Sequence, residues 1–215
     1  KKYNSFAPLN EVLAAGLILL SGWRGKIDFL DPMCGCGTIL IEAGMIAGNI
    51  PPNLNRSSFA FEKWNDWDQE LFNIIEESLI KKINKINCNI SGYDISNVMI
   101  RKCKKNIEES DIDFKINVET RDFFKTKKYN KERLQIIVNP PYDKRIPTDF
   151  KSFYSEIGNT LKRNYDNTSS WIFTANMDAI KSIGLRTSKR IKLFNSSLES
   201  RFLNYQIYSG SKKEK

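Results

Sequence analysis

Four short stretches of this 215-residue chain bring together side chains that could do chemistry. Asp31-Pro32-Met33-Cys34-Gly35-Cys36-Gly37-Thr38 sets a carboxylate ahead of a glycine-rich turn, where the missing side chains let backbone approach a ligand closely. The turn lacks the Gly-Lys-Ser/Thr ending of a P-loop, so no lysine is there to cradle phosphates, and Asp31 suits a cationic or amino-bearing ligand better than a triphosphate. Gly92-Tyr93-Asp94 ends in a carboxylate of the kind that accepts from both hydroxyls of a ribose. Thr120-Arg121-Asp122-Phe123 offers an acceptor for an adenine amino group and an aromatic ring to pack on the base. Asn139-Pro140-Pro141-Tyr142 combines an amide oxygen, a proline carbonyl and an aromatic ring. Two prolines hold the backbone extended. Asn139 and the Pro140 carbonyl can then accept both hydrogens of a planar NH2 group while Tyr142 stacks on the ring that bears it.

Each stretch alone has a plainer reading. Asp94 could simply cap the helix that begins near Ser96, Asp122 could belong to an ordinary turn, and a Pro-Pro pair often marks a sheet edge. Their order along the chain, each after an apolar strand, favours the ligand reading.

Those strands come from hydrophobic periodicity, which alternates between helix and strand and predicts βαβ units with a mainly parallel sheet. A helix is expected over Pro8 to Ser21, a strand over Ile27 to Asp31, and a helix from Thr38 to Ala47. Residues 49–87 read as an excursion, loop-like to Asn65 and then an inserted helix from Asp66 to Ile83. It accounts for Asp94 lying beyond the usual spacing of about 20 residues from the glycine turn. Strands follow at Ile90 to Asp94, Lys115 to Thr120, Leu134 to Val138 and Trp171 to Thr174. Helices are expected over Ser96 to Glu109, Phe150 to Leu161 and Asp178 to Ile183. Ile191 to Phe194 and Phe202 to Tyr208 have no long helix between them and should pair as an antiparallel hairpin. The expected fold class is α/β: a seven-stranded, mainly parallel, Rossmann-like sheet with an antiparallel C-terminal hairpin, the layout of class I methyltransferases, in one domain over 1–215.

Composition narrows the classes. No apolar run approaches the roughly 20 residues of a membrane span, and Val12 to Leu20 lacks the basic start and cleavage site of a signal peptide. The four cysteines form no Cys-x-x-Cys pair and there is no histidine, so reduced thiols in the cytoplasm are expected and a metal site is not. A net charge of +9 implies a polyanionic partner or a basic solvated surface. Lys81 to Lys85 and Arg101 to Lys105 read as solvated helix faces. Arg186, Lys189 and Arg190, in the segment leading into the terminal hairpin, are the candidates for contact with the phosphates of such a partner at the mouth of the site.

Ala7-Pro8-Leu9-Asn10-Glu11, the run from Asp31 to Ala43 with its Asp-Pro-Met-Cys-Gly-x-Gly-Thr start, and Asn139-Pro140-Pro141-Tyr142 together resemble the THUMP-associated RNA methyltransferases, in particular the bacterial 23S ribosomal RNA guanine-N2 type. The likeness extends over nearly the whole chain, including Gly184-Leu185-Arg186. It implies S-adenosylmethionine (SAM) as cofactor, held by Pro8, Asn10, Asp31, Cys34, Gly35, Gly37, Thr38, Asp94, Asp122, Phe123 and Asn139, with Asn139, Pro140, Pro141 and Tyr142 at the reacting amine. It also implies RNA, 23S ribosomal RNA in particular, as partner, and an upstream RNA-binding THUMP domain outside this chain. Cys36 stands where the family usually has Ser, and Asp143 where Gly is common, adding a charge beside the target-base pocket.

An amino nitrogen conjugated to a base is a poor nucleophile. Hydrogen bonds to Asn139 and Pro140 would favour a pyramidal nitrogen in line with the SAM methyl, and no strong base is needed because the sulfonium is an activated leaving group. Methylation of a protein glutamine amide or of adenine N6 would use the same motif, and a non-catalytic RNA-binding module would keep the fold without the chemistry.

Overall fold

The computed structural model describes residues 9–54, 56–110, 116–141 and 149–209. In chain order the helices are α1 (Glu11–Ser21), α2 (Thr38–Gly48), α3 (Gln69–Ile80), α4 (Asn97–Glu109) and α5 (Phe150–Asn164). The strands are β1 (Asp28–Asp31), β2 (Ile90–Asp94), β3 (Ile116–Thr120), β4 (Leu134–Val138), β5 (Thr168–Thr174), β6 (Lys189–Asn195) and β7 (Leu198–Ile207). Short 3-10 turns occupy Ala60–Lys63, Phe123–Lys125 and Ala179–Ile183.

The seven strands form one sheet in the order β3-β2-β1-β4-β5-β7-β6. The first five run parallel, and β7 inserts antiparallel between β5 and β6. Neighbouring residues on the strands point to opposite faces, so each strand feeds two cores. Phe29, Ile137, Phe173 and Phe202 join the α1, α2 and α4 side chains on one face. Leu30, Ile136, Ile172 and Leu203 join Tyr154, Ile157 and others from α5 on the second. The strand order reverses between β1 and β4, which opens a crevice at the carboxyl ends of the strands, the place where open α/β sheets bind ligands.

Several boundaries differ from those expected. α1 starts at Glu11 because the Asn10 side chain accepts from the Leu13 amide and caps the helix there. α3 is shorter than the predicted Asp66 to Ile83, with Asp68 as its cap. Phe59, Phe61 and Trp67 ahead of it form a small aromatic cluster with Phe72 of its first turn, while Leu71, Ile74 and Ile75 leave an apolar flank of α3 exposed. The segment read as a helix at 178–183 is the tighter 3-10 form, ended by Gly184 in the left-handed conformation. β5 begins three residues before Trp171, at Thr168.

Candidate functional site

Asp31 closes β1 and lies opposite Gly92 of β2, so the two acidic strand ends stand side by side. The Asp31 carboxyl is 1% exposed and accepts from the Met33 amide at 3.1 Å. Burial, with the nearby Asp94 charge adding to it, pushes its pKa up to about 8 against the opposing pull of that hydrogen bond. At neutral pH Asp31 is therefore mostly protonated, and a cation brought next to it would favour loss of that proton.

The glycine turn is tied to β2 at two points. The Cys34 amide donates to the Tyr93 carbonyl at 2.8 Å, and the Gly35 amide donates to Asp94 Oδ2 at 3.0 Å. Asp94 Oδ1 accepts from Ser96, two residues on, and Ser96 in turn caps α4. Asp94 is thus both a local turn residue and a clamp on the loop. Each of its oxygens has a second lone pair, which leaves acceptor capacity for a diol.

Gly35 and Gly37 both have positive φ, +55° and +92°. A Cβ on Gly37 would lie 2.5 Å from Cys103 Sγ of α4, and one on Gly92 would lie 2.3 Å from a Leu40 methyl of α2. Loop, β2 and helices are packed without room for side chains at these points. Thr38 begins α2, with its hydroxyl 3.7 Å from Cys36 Sγ, and the Gly37 cap supplies no side-chain acceptor to the first turn.

The third stretch behaves differently from the expectation. Asp122 caps the 3-10 turn through the Phe124 amide at 3.1 Å and pairs with Lys125 at 3.3 Å. The Phe123 ring is 4% exposed, 5.4 Å from the Tyr165 ring in the second core. A ring packed in that core is not free to lie on a base, so the predicted stacking role of this side chain is corrected; its backbone alone remains beside Asp122. Arg121 donates its amide to the Asp94 carbonyl, which binds this turn to the neighbouring strand end.

Asn139 follows β4 directly, and its amide oxygen is buried with no hydrogen-bond partner among the described residues. A buried acceptor left open costs about 1–3 kcal/mol, so this oxygen calls for a donor beyond the described residues. Pro140 is buried and Pro141 half-buried. Pro8, Tyr142 and Asp143 lie outside the described residues. Asn10 is exposed, with its oxygen committed to capping α1.

The basic trio is not gathered at the crevice mouth as predicted. Lys189 and Arg190 lie within β6, the outer strand of the sheet, not in a segment before it. That strand stands three places from β4, roughly 14 Å at about 4.8 Å per strand. Lys189 Nζ sits 6.0 Å from the centre of the Trp171 ring. Arg186 is exposed between the 3-10 turn and β6.

Residues that sequence reasoning passed over complete the site. Met99, Cys103 and Asn106, at i, i+4 and i+7 on α4, form the wall behind the glycine turn, with Asn106 donating to the Cys36 carbonyl at 2.9 Å. Beneath the end of β4, the buried Tyr154 hydroxyl bonds Thr174 of β5 at 2.6 Å. The helical stripe was visible in the sequence as ordinary amphipathicity, without a sign of what it faced.

The model of the RMKL-like methyltransferase domain matches residues 1–203. The chain belongs to that family. It is 35% identical over 208 residues to a ribosomal RNA large subunit methyltransferase K/L from Psychromonas ingrahamii, covering 94% of this chain and 28% of the relative. Among solved structures, SMU.472, crystallised as a complex with SAH, superposes with a TM-score of 0.86 at 32% identity, covering 98% of this chain and 56% of that one. A Listeria monocytogenes protein named as an N6-adenine-specific DNA methylase superposes at 0.81 with 27% identity, covering 96% of this chain and 53% of that one. This RMKL-like domain spans about half the length of the shorter relatives it matches and under a third of the longer ones. The class I methyltransferase fold expected from the sequence is the fold of the family. Among the described residues no group of side chains could hold a metal ion, all four cysteines are free thiols, and no helix is long and apolar enough to cross a membrane.

Proposed function

We propose that this domain binds SAM in the crevice between β1, β2 and β4 and transfers its methyl group to an exocyclic amino nitrogen of a base in RNA, guanine N2 of 23S ribosomal RNA being the specific reading. The observation that carries it is the buried Asn139 amide oxygen, without a hydrogen-bond partner among the described residues, at the end of β4 beside two acidic strand ends and a glycine turn. The residues fit such a cofactor. Asp94 has acceptor capacity for the ribose diol, Asp31 is placed for the cationic part, the uncapped α2 N-terminus suits a carboxylate, and Asp122 is placed for the adenine amine.

Bound there, the sulfonium supplies an activated methyl group. Asn139 and the Pro140 carbonyl would accept the two amine hydrogens, which would free the nitrogen lone pair for attack and position it. The extra proton leaves to solvent after transfer, so no histidine is needed. Tyr142 stacks on the base, which is first unstacked from its neighbours at a cost of a few kcal/mol. Arg186, Lys189 and Arg190 track RNA phosphates along the outer edge of the sheet, away from the reacting group.

The names of the large-subunit ribosomal RNA relatives favour RNA, and the Listeria relative's name brings adenine N6 in as the second reading. Incubating the protein with methyl-labelled SAM and total RNA, DNA or protein from a cell extract separates the substrate classes. Label confined to DNA or protein would overturn the RNA reading.

A further inference from the structure

We infer that Asn106 is a positioning residue for the cofactor: through the Cys36 carbonyl it fixes the glycine turn against α4 and thereby sets the affinity for SAM. The inference rests on the SAM reading above. The side-chain amide of Asn106 spans 70 residues of sequence to donate to that carbonyl at 2.9 Å. Cys36 sits between two glycines in the left-handed region, the most freely pivoting place in the turn. The restraints that tie the turn to a neighbouring element otherwise lie on its β2 side among the described residues, from the Cys34 amide to Tyr93 and from the Gly35 amide to Asp94. The Gly37 amide closes the Cys36 to Gly37 peptide onto the Cys34 carbonyl at 2.8 Å, so the turn moves as one piece, and that peptide leads directly into the uncapped first turn of α2. Asn106 holds that peptide from the opposite side, and the close fit of Gly37 against Cys103 on the same helix leaves it one seat.

The same helix begins three residues after Asp94 and is capped by Ser96. α4 therefore connects the diol-binding carboxylate at its start to the glycine turn at its middle as one rigid spacer. Losing the Asn106 bond frees one end of the spacer without touching any group that meets the ligand or the substrate.

The test compares wild type with Asn106→Ala and Asn106→Asp. Alanine is the better helix former, so the helix tolerates the first change; the second puts an acceptor against an acceptor. Calorimetric titration with SAH should give binding weaker by roughly 3- to 10-fold for Asn106→Ala, the worth of one net hydrogen bond, and weaker still for Asn106→Asp. The KM for SAM should rise by the same factor while kcat and the KM for RNA stay at wild-type values. Wild-type SAH affinity in a folded Asn106→Ala, or a fall in kcat at unchanged KM for SAM, overturns the inference. A drop in melting temperature with SAH affinity intact at 10 °C would likewise mark a purely structural bond. Failure of the wild-type protein itself to bind SAH would instead overturn the cofactor reading.

Discussion

Gly35 and Asp94, 59 residues apart in sequence, are joined by a 3.0 Å hydrogen bond from the glycine amide to the carboxylate. The bond ties the glycine turn to the end of β2, and in the proposed site Asp94 would both clamp that turn and accept from the ribose. Replacing Asp94 with Ala should remove a charge-assisted acceptor for the ribose, worth roughly 1.5–3 kcal/mol or about 10- to 100-fold in affinity, and also loosen the glycine turn. Asp94→Asn keeps one oxygen and should lose less. Titration with SAH reads the difference, and equal affinity in all three proteins would remove Asp94 from the site.

If Asp31 meets the cationic part of SAM, cofactor binding depends on pH. Its folded pKa of about 8 lies above the usual 3.8, so the folded, ligand-free protein holds a proton that the unfolded chain loses near pH 4. Its contribution to stability is accordingly present below pH 4 and is lost as pH rises toward 8. Binding a cationic ligand favours the ionised form, so SAM affinity should climb between pH 6 and pH 8 and level off above. Asp31→Asn should flatten the profile. Calorimetry in buffers of different ionisation enthalpy would detect the released proton, and a flat wild-type profile would contradict the role.

Gly37→Ala should be costly for two separable reasons. A φ of +92° penalises any side chain by about 1–2 kcal/mol, and the new methyl would meet Cys103 Sγ at 2.5 Å. Adding Cys103→Ala removes only the collision. Denaturant unfolding of both single variants and the double variant should show a favourable coupling of order 1 kcal/mol, and strict additivity would place the strain elsewhere.

Much of the candidate site is legible because its residues sit at strand ends that periodicity locates well. The residue patterns marked β2 and β4 with the bounds found, and with them Asp94 and Asn139. β5 was read short because Thr168, Ser169 and Ser170 look like a loop; they are buried, with the Ser169 hydroxyl accepting from Asn204 and Gln206 of β7. Such polar pairing across an antiparallel partner has no local signature. The Phe123 ring was assigned to a ligand because its neighbours in sequence said nothing of Tyr165 across the core. Asn106 was unreadable for the same reason, as its partner lies 70 residues away. Lys189 and Arg190 were set nearer the crevice than they are because an edge strand's distance from the active strand depends on sheet order.

If Arg186, Lys189 and Arg190 contact phosphates, replacing all three with Ala should weaken RNA binding at low salt. It should also lower the slope of log affinity against log salt by about 2–3, at roughly 0.7–0.9 per lost contact. SAH affinity should not change. An unaltered salt slope would leave these side chains as solvating charge on an edge strand.

The central claim is that the buried Asn139 oxygen receives the amine of an RNA base. Its most direct test is nucleoside mass spectrometry of ribosomal RNA treated with deuteromethyl-labelled SAM, using wild type and Asn139→Ala at matched SAH occupancy. The account predicts that wild type places the label on an exocyclic amino nitrogen, as N2-methylguanosine. It predicts that Asn139→Ala binds SAH nearly as well but transfers methyl about 100-fold more slowly, the usual cost of losing one oriented transition-state hydrogen bond. Label on a ribose oxygen or ring carbon, or wild-type turnover in Asn139→Ala, would contradict it.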